Sequence, residues 1–202
     1  MKTYVLFLLI IIFGFLIGVH VLEKTGAGEK MDLTGKSVLM IIAHENFRDE
    51  EFEEPYKILT GANANVTVAS SSISEARGML GKTVKPDTTI DKINVNDFDA
   101  IIFVGGSGAS QYFDDNTALN IAKEGYARGK IVSAICIAPS ILANAGILDG
   151  KKVTSFPSEQ SNLESHGAIY TGNGVEVDGR IITANGPVSA KRFGEEIKKA
   201  LE

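Results

Sequence analysis

The chain opens with a hydrophobic segment that carries no charge. Residues 4–22 read YVLFLLIIIFGFLIGVHVL, close to the roughly 20 apolar residues that a helix needs to cross a bilayer. The small residues at 25–27 make a weak cleavage site, which favours an uncleaved anchor over a cleaved signal peptide. A buried core helix would normally show a polar face, which this segment lacks. We therefore predict an N-terminal transmembrane helix over residues 4–22, followed by a polar tether to residue 30.

Basic residues flank this segment about equally on its two sides, so the positive-inside rule leaves the orientation open. We favour a membrane-anchored protein whose main domain lies outside the cytoplasm. That domain comprises residues 31–202, which is long enough for one hydrophobic core and too short for two comfortable domains.

Beyond the tether, short apolar runs alternate with segments of helical periodicity. The runs at residues 37–43, 100–104 and 131–135 are uniformly apolar, as in strands that are covered on both faces. Further strands are predicted at 65–70, 153–155, 175–178 and 181–184, a hairpin within 76–94, and helices at 49–62, 116–128, 137–145 and 188–201. This alternation predicts an α/β sandwich around a mostly parallel sheet. In such folds the reactive groups lie at the carboxyl ends of the strands.

Composition narrows the chemistry that the domain can support. The 202 residues include one cysteine, Cys136, which excludes a disulfide framework and a cysteine-rich metal site. The three histidines lie far apart, without metal-ligand spacing. The net charge of −5 argues against a nucleic-acid partner. We therefore predict no metal, no other cofactor and no nucleic acid.

Cys136 lies between the strand at 131–135 and a predicted helix. A strand–nucleophile–helix junction is typical of a nucleophile elbow, whose sharp turn exposes the side chain above the sheet. The positive end of the helix also favours the thiolate. Gly105 and Gly106 end a neighbouring strand, where backbone N–H groups can approach a reacting oxygen. A buried, inert cysteine and an ordinary turn are the alternative interpretations, and position alone does not decide between them.

An acidic segment follows the first strand. Residues 44–55 read HENFRDEEFEEP, and most of these carboxylates suit a solvated face at the start of a helix. One carboxyl could point towards Cys136. A protonated glutamate there would stabilise a thiolate by donating a hydrogen bond, whereas an ionised one would raise the pKa of the thiol. The sequence leaves both states open.

Several motifs together resemble the ThiJ/PfpI family, which includes deglycases and PfpI-type intracellular peptidases. They are SVLMIIA with FRDEEFEEP, FDAIIFVGG, AICIAP, VTSFP and VDGRIITANGP, and they extend over residues 37–201. The resemblance implies a flavodoxin-like fold and assembly into homodimers or larger homo-oligomers. It implies that Cys136 is the reactive residue and that Glu51 contacts it. Backbone N–H groups of Gly106 and Ile137 would complete the site.

Three positions depart from the family pattern. Ile137 stands where PfpI-type peptidases have a histidine after the cysteine. Arg48 replaces an earlier acidic residue, and Phe156 stands where the human-type branch has a histidine. A cysteine protease needs a base, so these departures disfavour peptidase activity unless another histidine acts as that base. His44 is the possible auxiliary residue, and His166 is a further candidate.

Two main hypotheses follow for the function. In the first, Cys136 attacks a small carbonyl electrophile or its protein adduct and Glu51 moves the proton. The N–H of Gly106 then stabilises the oxyanion. In the second, Cys136 is oxidised as a redox sensor or protein-protection module without turnover. A membrane-tethered scaffold with an inert Cys136 is a third interpretation, and we favour the enzyme.

Overall fold

The apolar runs form the central strands of an α/β domain in the computed structural model, which describes residues 32–202. The strands are β1 (Ser37–Ile41), β2 (Glu45–Phe47), β3 (Asn65–Ser70), β4 (Ala76–Gly78), β5 (Thr83–Val84), β6 (Thr88–Thr89), β7 (Ala100–Phe103), β8 (Ile131–Ile135), β9 (Lys152–Val153), β10 (Ile169–Tyr170), β11 (Val175–Asp178) and β12 (Ile181–Ala184). The α-helices are α1 (Asp49–Gly61), α2 (Asn116–Ala127), α3 (Pro139–Asn144), α4 (Gln160–Ser165) and α5 (Ala190–Ala200). Strands and helices therefore alternate, as the hydrophobic pattern predicts.

Within residues 32–202 the main sheet has seven strands, in the order β11-β12-β8-β7-β1-β3-β6. Neighbouring strands run parallel, except that β11 pairs antiparallel with β12. The inner strands β3-β1-β7-β8-β12 follow the 2-1-3-4-5 order of flavodoxin-like sheets. The predicted flavodoxin-like α/β fold with a mostly parallel sheet is therefore confirmed. In this topology a crevice opens at the carboxyl ends of β1 and β7, where the chain order switches direction.

Alternate residues of β1 enter the hydrophobic cores on the two faces of this sheet. Leu39 and Ile41 pack with residues of α2 and α3. Val38 and Met40 pack with residues of α1 and α5. This division follows from the two-residue period of a strand. Because helices cover both faces of the sheet, the central strands are fixed in place. The loops at the carboxyl ends of these strands therefore start from fixed positions.

The hydrophobic pattern does not predict three short elements, which are β2, β10 and α4. Each of them has six residues or fewer, and α4 buries Leu163 alone of its residues, so none shows a full hydrophobic period. Residues 76–94 also form more than the predicted hairpin. Strands β4 and β5 pair antiparallel, but β6 pairs parallel with β3 at the edge of the main sheet. Tertiary pairing rather than local pattern determines these short segments.

The helices of the described domain are too short to span a membrane. Among residues 32–202 the longest helix, α1, has 13 residues and a length of about 20 Å, whereas the hydrocarbon core of a bilayer is about 30 Å thick. This part of the chain contains no helix with the length and apolarity of a membrane span. The predicted membrane-anchored, extracytoplasmic localisation is corrected on this finding. The predicted span at residues 4–22 lies outside the described residues.

Candidate active site

Three loops meet at the carboxyl ends of β1, β7 and β8. The chain after β1 leads into α1, whose first turn holds three acidic residues at the positive end of the helix dipole. Glu51 is the third of them, and it is completely buried. Gly105 and Gly106 follow β7, and Cys136 follows β8 directly. The order of the strands thus brings together residues that are far apart in the sequence.

The backbone at Cys136 has the geometry of a nucleophile elbow. Its φ of +64° lies in the left-handed region, which is uncommon for a residue that carries a side chain. Two hydrogen bonds hold this conformation: the Cys136 N–H donates to the Ala184 carbonyl (2.9 Å), and the Phe156 N–H donates to the Cys136 carbonyl (2.7 Å). Cys136 is half-buried, and the backbone N–H groups of Gly106 and Ile137 face its sulfur.

Gly105 allows Glu51 and Cys136 to lie side by side. A Cβ at Gly105 would overlap Oε2 of Glu51 and would lie 2.6 Å from both the Cys136 Cβ and the Ile135 carbonyl oxygen. The Cys136 thiol and the Gly105 N–H face the Glu51 carboxyl, although their geometry falls short of an ordinary hydrogen bond. Both oxygens of Glu51 are therefore buried without a hydrogen-bond partner among the described residues.

Burial controls the protonation of this pair. It raises the pKa of Glu51 to about 8, and the contact with Cys136 opposes this shift only in part. Burial, followed by the negative charge of Glu51, raises the pKa of Cys136 to about 12, whereas the facing N–H groups lower it. The pair thus holds two protons below about pH 8 and shares one above it. Of the two states that the sequence leaves open, burial favours a protonated Glu51 at neutral pH.

A cavity of about 510 Å³ opens over Cys136. Its polar lining includes Arg48, Glu51, Ser107, Ser110, Ser158 and Glu159, and its apolar lining includes Met79, Phe113, Ile137, Phe156 and Pro187. Within residues 32–202, no three His, Cys, Asp or Glu side chains converge as a metal site would require. The arrangement can present a thiol and a carboxyl to a small organic electrophile.

The sequence of the domain matches the model of the DJ-1/PfpI family over residues 36–200. The chain belongs to the DJ-1/PfpI family. It is 43% identical over 182 residues to an uncharacterised protein of Methanocaldococcus jannaschii, covering 88% of this chain and 89% of that protein. It is 33% identical over 165 residues to a protein of Pyrococcus horikoshii named a deglycase, covering 82% of this chain and 99% of that protein. The crystal structure of a ThiJ/PfpI domain protein from Brachyspira murdochii matches with a TM-score of 0.80 at 35% identity, covering 83% of this chain and 98% of that one.

These comparisons confirm the predicted ThiJ/PfpI resemblance at the level of the family. Some relatives are named deglycases, and these names support a deglycase or protective role at the level of the family. The site residues of this chain are not named by any of these matches, so their roles rest on the geometry.

In this DJ-1/PfpI domain, no histidine of the described residues lines the cavity over Cys136. His44 lines a separate cavity of about 460 Å³, and its Nε2 lies 3.4 Å from the Ser74 Oγ. His166 follows α4, and its Nδ1 lies 2.9 Å from the Asn162 carbonyl oxygen. His44 is thus absent from the lining of the cavity over Cys136, and its auxiliary role stays a prediction.

Asp49 is a positioning residue that the sequence pattern does not single out. Its buried carboxylate accepts hydrogen bonds from the N–H groups of Leu80 (2.9 Å) and Lys82 (2.8 Å). Gly78 permits this approach, since a Cβ there would lie 2.6 Å from the Asp49 Oδ2. Asp49 thereby fixes the β4–β5 hairpin, which brings Met79 to the cavity. In the sequence, the helix dipole accounts equally well for every acid of the segment, so no local signal identifies the buried ones.

Proposed function

We propose that the protein is a cysteine-dependent enzyme that acts on small carbonyl electrophiles, such as 2-oxoaldehydes, or on their adducts with proteins. The observation that carries the proposal is the half-buried Cys136 beside the buried carboxyl of Glu51, at one cavity. The deglycase name of the Pyrococcus horikoshii relative supports the same class of reaction. A thiol and a carboxyl can together supply the nucleophile and the acid–base group, so this chemistry needs no cofactor.

The first step is the addition of the Cys136 sulfur to the aldehyde carbon. The S–C bond forms, the π electrons of the C=O bond move to oxygen, and the thiol proton passes through Glu51 to that oxygen, which gives a hemithioacetal. The N–H groups of Gly106 and Ile137 stabilise the negative charge that develops on the oxygen. Gly105 lets the Glu51 carboxyl lie beside Cys136. A pKa of about 8 suits Glu51 to both accept and return a proton near neutral pH.

Glu51 also serves the second half of the reaction. It removes the proton from the carbinol carbon and returns it to the neighbouring carbonyl carbon, while the hydroxyl proton shifts to the neighbouring oxygen, giving a thioester of a 2-hydroxy acid. Water then attacks the thioester carbonyl, the C–S bond breaks, and the sulfur of Cys136 leaves with a proton. The net reaction adds one water molecule to each aldehyde molecule and needs no oxidant or reductant. For a protein adduct, the first attack displaces the nitrogen or sulfur of the modified protein, which leaves with a proton.

Methylglyoxal tests this proposal with the wild-type protein. We expect many turnovers without an added cofactor and one lactate formed for each aldehyde consumed, as measured by proton NMR. Alkylation of Cys136 with iodoacetamide is expected to stop the reaction. Loss of aldehyde only in an amount equal to the protein, without lactate, would contradict an enzyme and indicate trapping by the thiol.

A redox module is the second candidate function. The N–H groups of Gly106 and Ile137 face the sulfur, and a protonated Glu51 can donate to oxygen atoms added there. Cys136 is the only cysteine of the sequence, so an internal disulfide cannot form and the oxidised product would be a sulfenic or sulfinic acid.

Mild hydrogen peroxide distinguishes this candidate. The Cys136 thiolate attacks one peroxide oxygen and water leaves, so we expect oxygen addition at Cys136 in intact-mass and peptide-mapping spectra. The rate should rise with pH through about 8, where the pair loses its first proton. A Cys136 that stays unmodified under conditions that oxidise free glutathione would reject the redox candidate.

A further inference from the structure

Much of the wall of the cavity over Cys136 is apolar, and part of it is unusually open to solvent. Phe156 is 46% exposed and Met79 is 43% exposed, although both are large hydrophobic residues. Phe113 and Pro187 extend the same wall. A contiguous apolar surface beside a reactive group is typical of a binding subsite for an apolar part of a ligand.

The charged groups of the cavity are largely engaged within the protein. The Arg48 guanidinium binds the Glu50 carboxylate, with Nε–Oε2 at 2.8 Å and Nη2–Oε1 at 3.1 Å. The two oxygens of Glu159 accept hydrogen bonds from the hydroxyl groups of Ser140 and Ser158, both at 2.6 Å. A charged substituent would have to compete with these contacts, whereas an apolar one gains burial without displacing any of them.

The positions of the apolar side chains are tied to the reacting residues. The Phe156 N–H donates to the Cys136 carbonyl at 2.7 Å. A Cβ at Gly186 would lie 3.9 Å from Oε1 of Glu51 and 4.0 Å from Cδ2 of Phe156. The Phe156 ring and the Glu51 carboxyl therefore border the same small region beside Gly186. The Met79 N–H donates to the Phe47 carbonyl at 2.9 Å, which fixes another part of the wall.

The size of the cavity also bears on the substrate. A volume of about 510 Å³ falls within the range of roughly 300–1,000 Å³ that is typical of sites for whole organic ligands. Glyoxal and methylglyoxal have two and three carbon atoms, so either would leave most of the apolar wall without contact. A substituent with the bulk of a phenyl ring would cover it.

We propose that Phe156, with Met79, forms a specificity subsite for a bulky apolar substituent on the carbonyl compound that Cys136 attacks, so that aryl 2-oxoaldehydes are preferred over methylglyoxal. The inference rests on the proposed function and names its substrate class. Phe156 acts by binding the substituent, and it takes no part in bond making or breaking.

The ratio of kcat/KM for phenylglyoxal to kcat/KM for methylglyoxal measures this preference, because the ratio compared across variants cancels the intrinsic reactivity of the aldehydes. Phe156→Ala is expected to lower the ratio about tenfold, since a lost aromatic contact and its buried area are together worth roughly that factor. Phe156→Leu should give an intermediate ratio. Ile169→Ala removes a 52% exposed apolar side chain outside the cavity lining and should leave the ratio unchanged. An unchanged ratio in Phe156→Ala would overturn the subsite.

Covalent labelling of Cys136 separates this inference from the proposed function. N-phenylmaleimide and N-methylmaleimide add to a thiol without turnover, and the ratio of their labelling rates reports the same subsite. Phe156→Ala is expected to lower this ratio while Ile169→Ala keeps it. If the wild type turns over neither aldehyde, the proposed function fails, and the labelling ratios alone then support or overturn the subsite.

Discussion

Replacing Cys136 with serine is expected to lower kcat/KM for methylglyoxal by about a thousandfold or more, the scale at which removal of an enzyme nucleophile acts. The serine hydroxyl has nearly the size of the thiol but remains protonated throughout the range in which proteins are stable. Glu51 cannot replace that loss, because it moves a proton and forms no bond to carbon in the proposed reaction. Steady-state loss of aldehyde and formation of lactate measure the effect.

The serine variant must keep its fold for this result to be informative. The elbow depends on backbone hydrogen bonds from the Cys136 N–H to Ala184 and from the Phe156 N–H to Cys136, and serine retains both. We therefore expect a thermal unfolding midpoint close to that of the wild type. A folded Cys136→Ser protein that produces lactate at the wild-type rate would exclude Cys136 as the nucleophile.

The central fold is predictable because its strands are covered on both faces. The uniformly apolar runs predicted at 37–43, 100–104 and 131–135 form β1, β7 and β8, and the predicted bounds of β8 agree with the structure. The predicted bounds of β3, β11 and β12 also agree. The short elements are different. Strand β6 has two residues and pairs with β3, and no local pattern of two residues distinguishes that partner from the hairpin nearby.

The chemical centre is predictable for a related reason. Cys136 directly follows β8, and the loops after parallel strands share one edge of the sheet. Burial of Glu51, and hence its raised pKa, needs the three-dimensional structure. The position of His44 also needs the three-dimensional structure, because this residue follows the apolar run at 37–43 but lines a separate cavity. Phe156 can be noticed in the sequence only as a departure from the family pattern, and its exposure in the cavity comes from the packing of loops.

The site combines two features that work against stability. Cys136 has a left-handed backbone conformation, of the kind that costs roughly 1–3 kcal/mol. Glu51 is buried without a hydrogen-bond partner among the described residues, and an unsatisfied buried polar group costs about 1–3 kcal/mol. Apolar packing on both faces of the sheet offsets these costs. Such features occur together at sites where a strained, reactive arrangement is held by the surrounding fold.

Glu51→Gln is expected to lower kcat/KM for methylglyoxal at pH 7 by about a hundredfold or more, since a positioned acid–base group contributes about 10²–10⁴. Glutamine keeps the size of the side chain and one hydrogen-bond donor, but it cannot carry the proton. Glu54→Gln makes the same chemical change in α1 at a residue outside the cavity lining and should keep the wild-type rate. A Glu51→Gln variant as active as Glu54→Gln would contradict the role of Glu51.

The pH dependence shows whether the loss arises from proton transfer. Burial raises the pKa of Glu51 from 4.5 to about 8, so wild-type kcat/KM should rise with pH through about 8, as the pair loses its first proton. In Glu51→Gln only the thiol of this pair titrates, and burial raises the pKa of Cys136 above the ordinary 9.0. The rise in kcat/KM should therefore move to higher pH.

The folded wild type also holds the Glu51 proton between about pH 4.5 and 8, where the unfolded chain releases it. Its free energy of unfolding should therefore fall across that window, and Glu51→Gln should weaken the fall in urea titrations. An unaltered activity profile together with an unaltered stability slope would show that Glu51 does not titrate in this range.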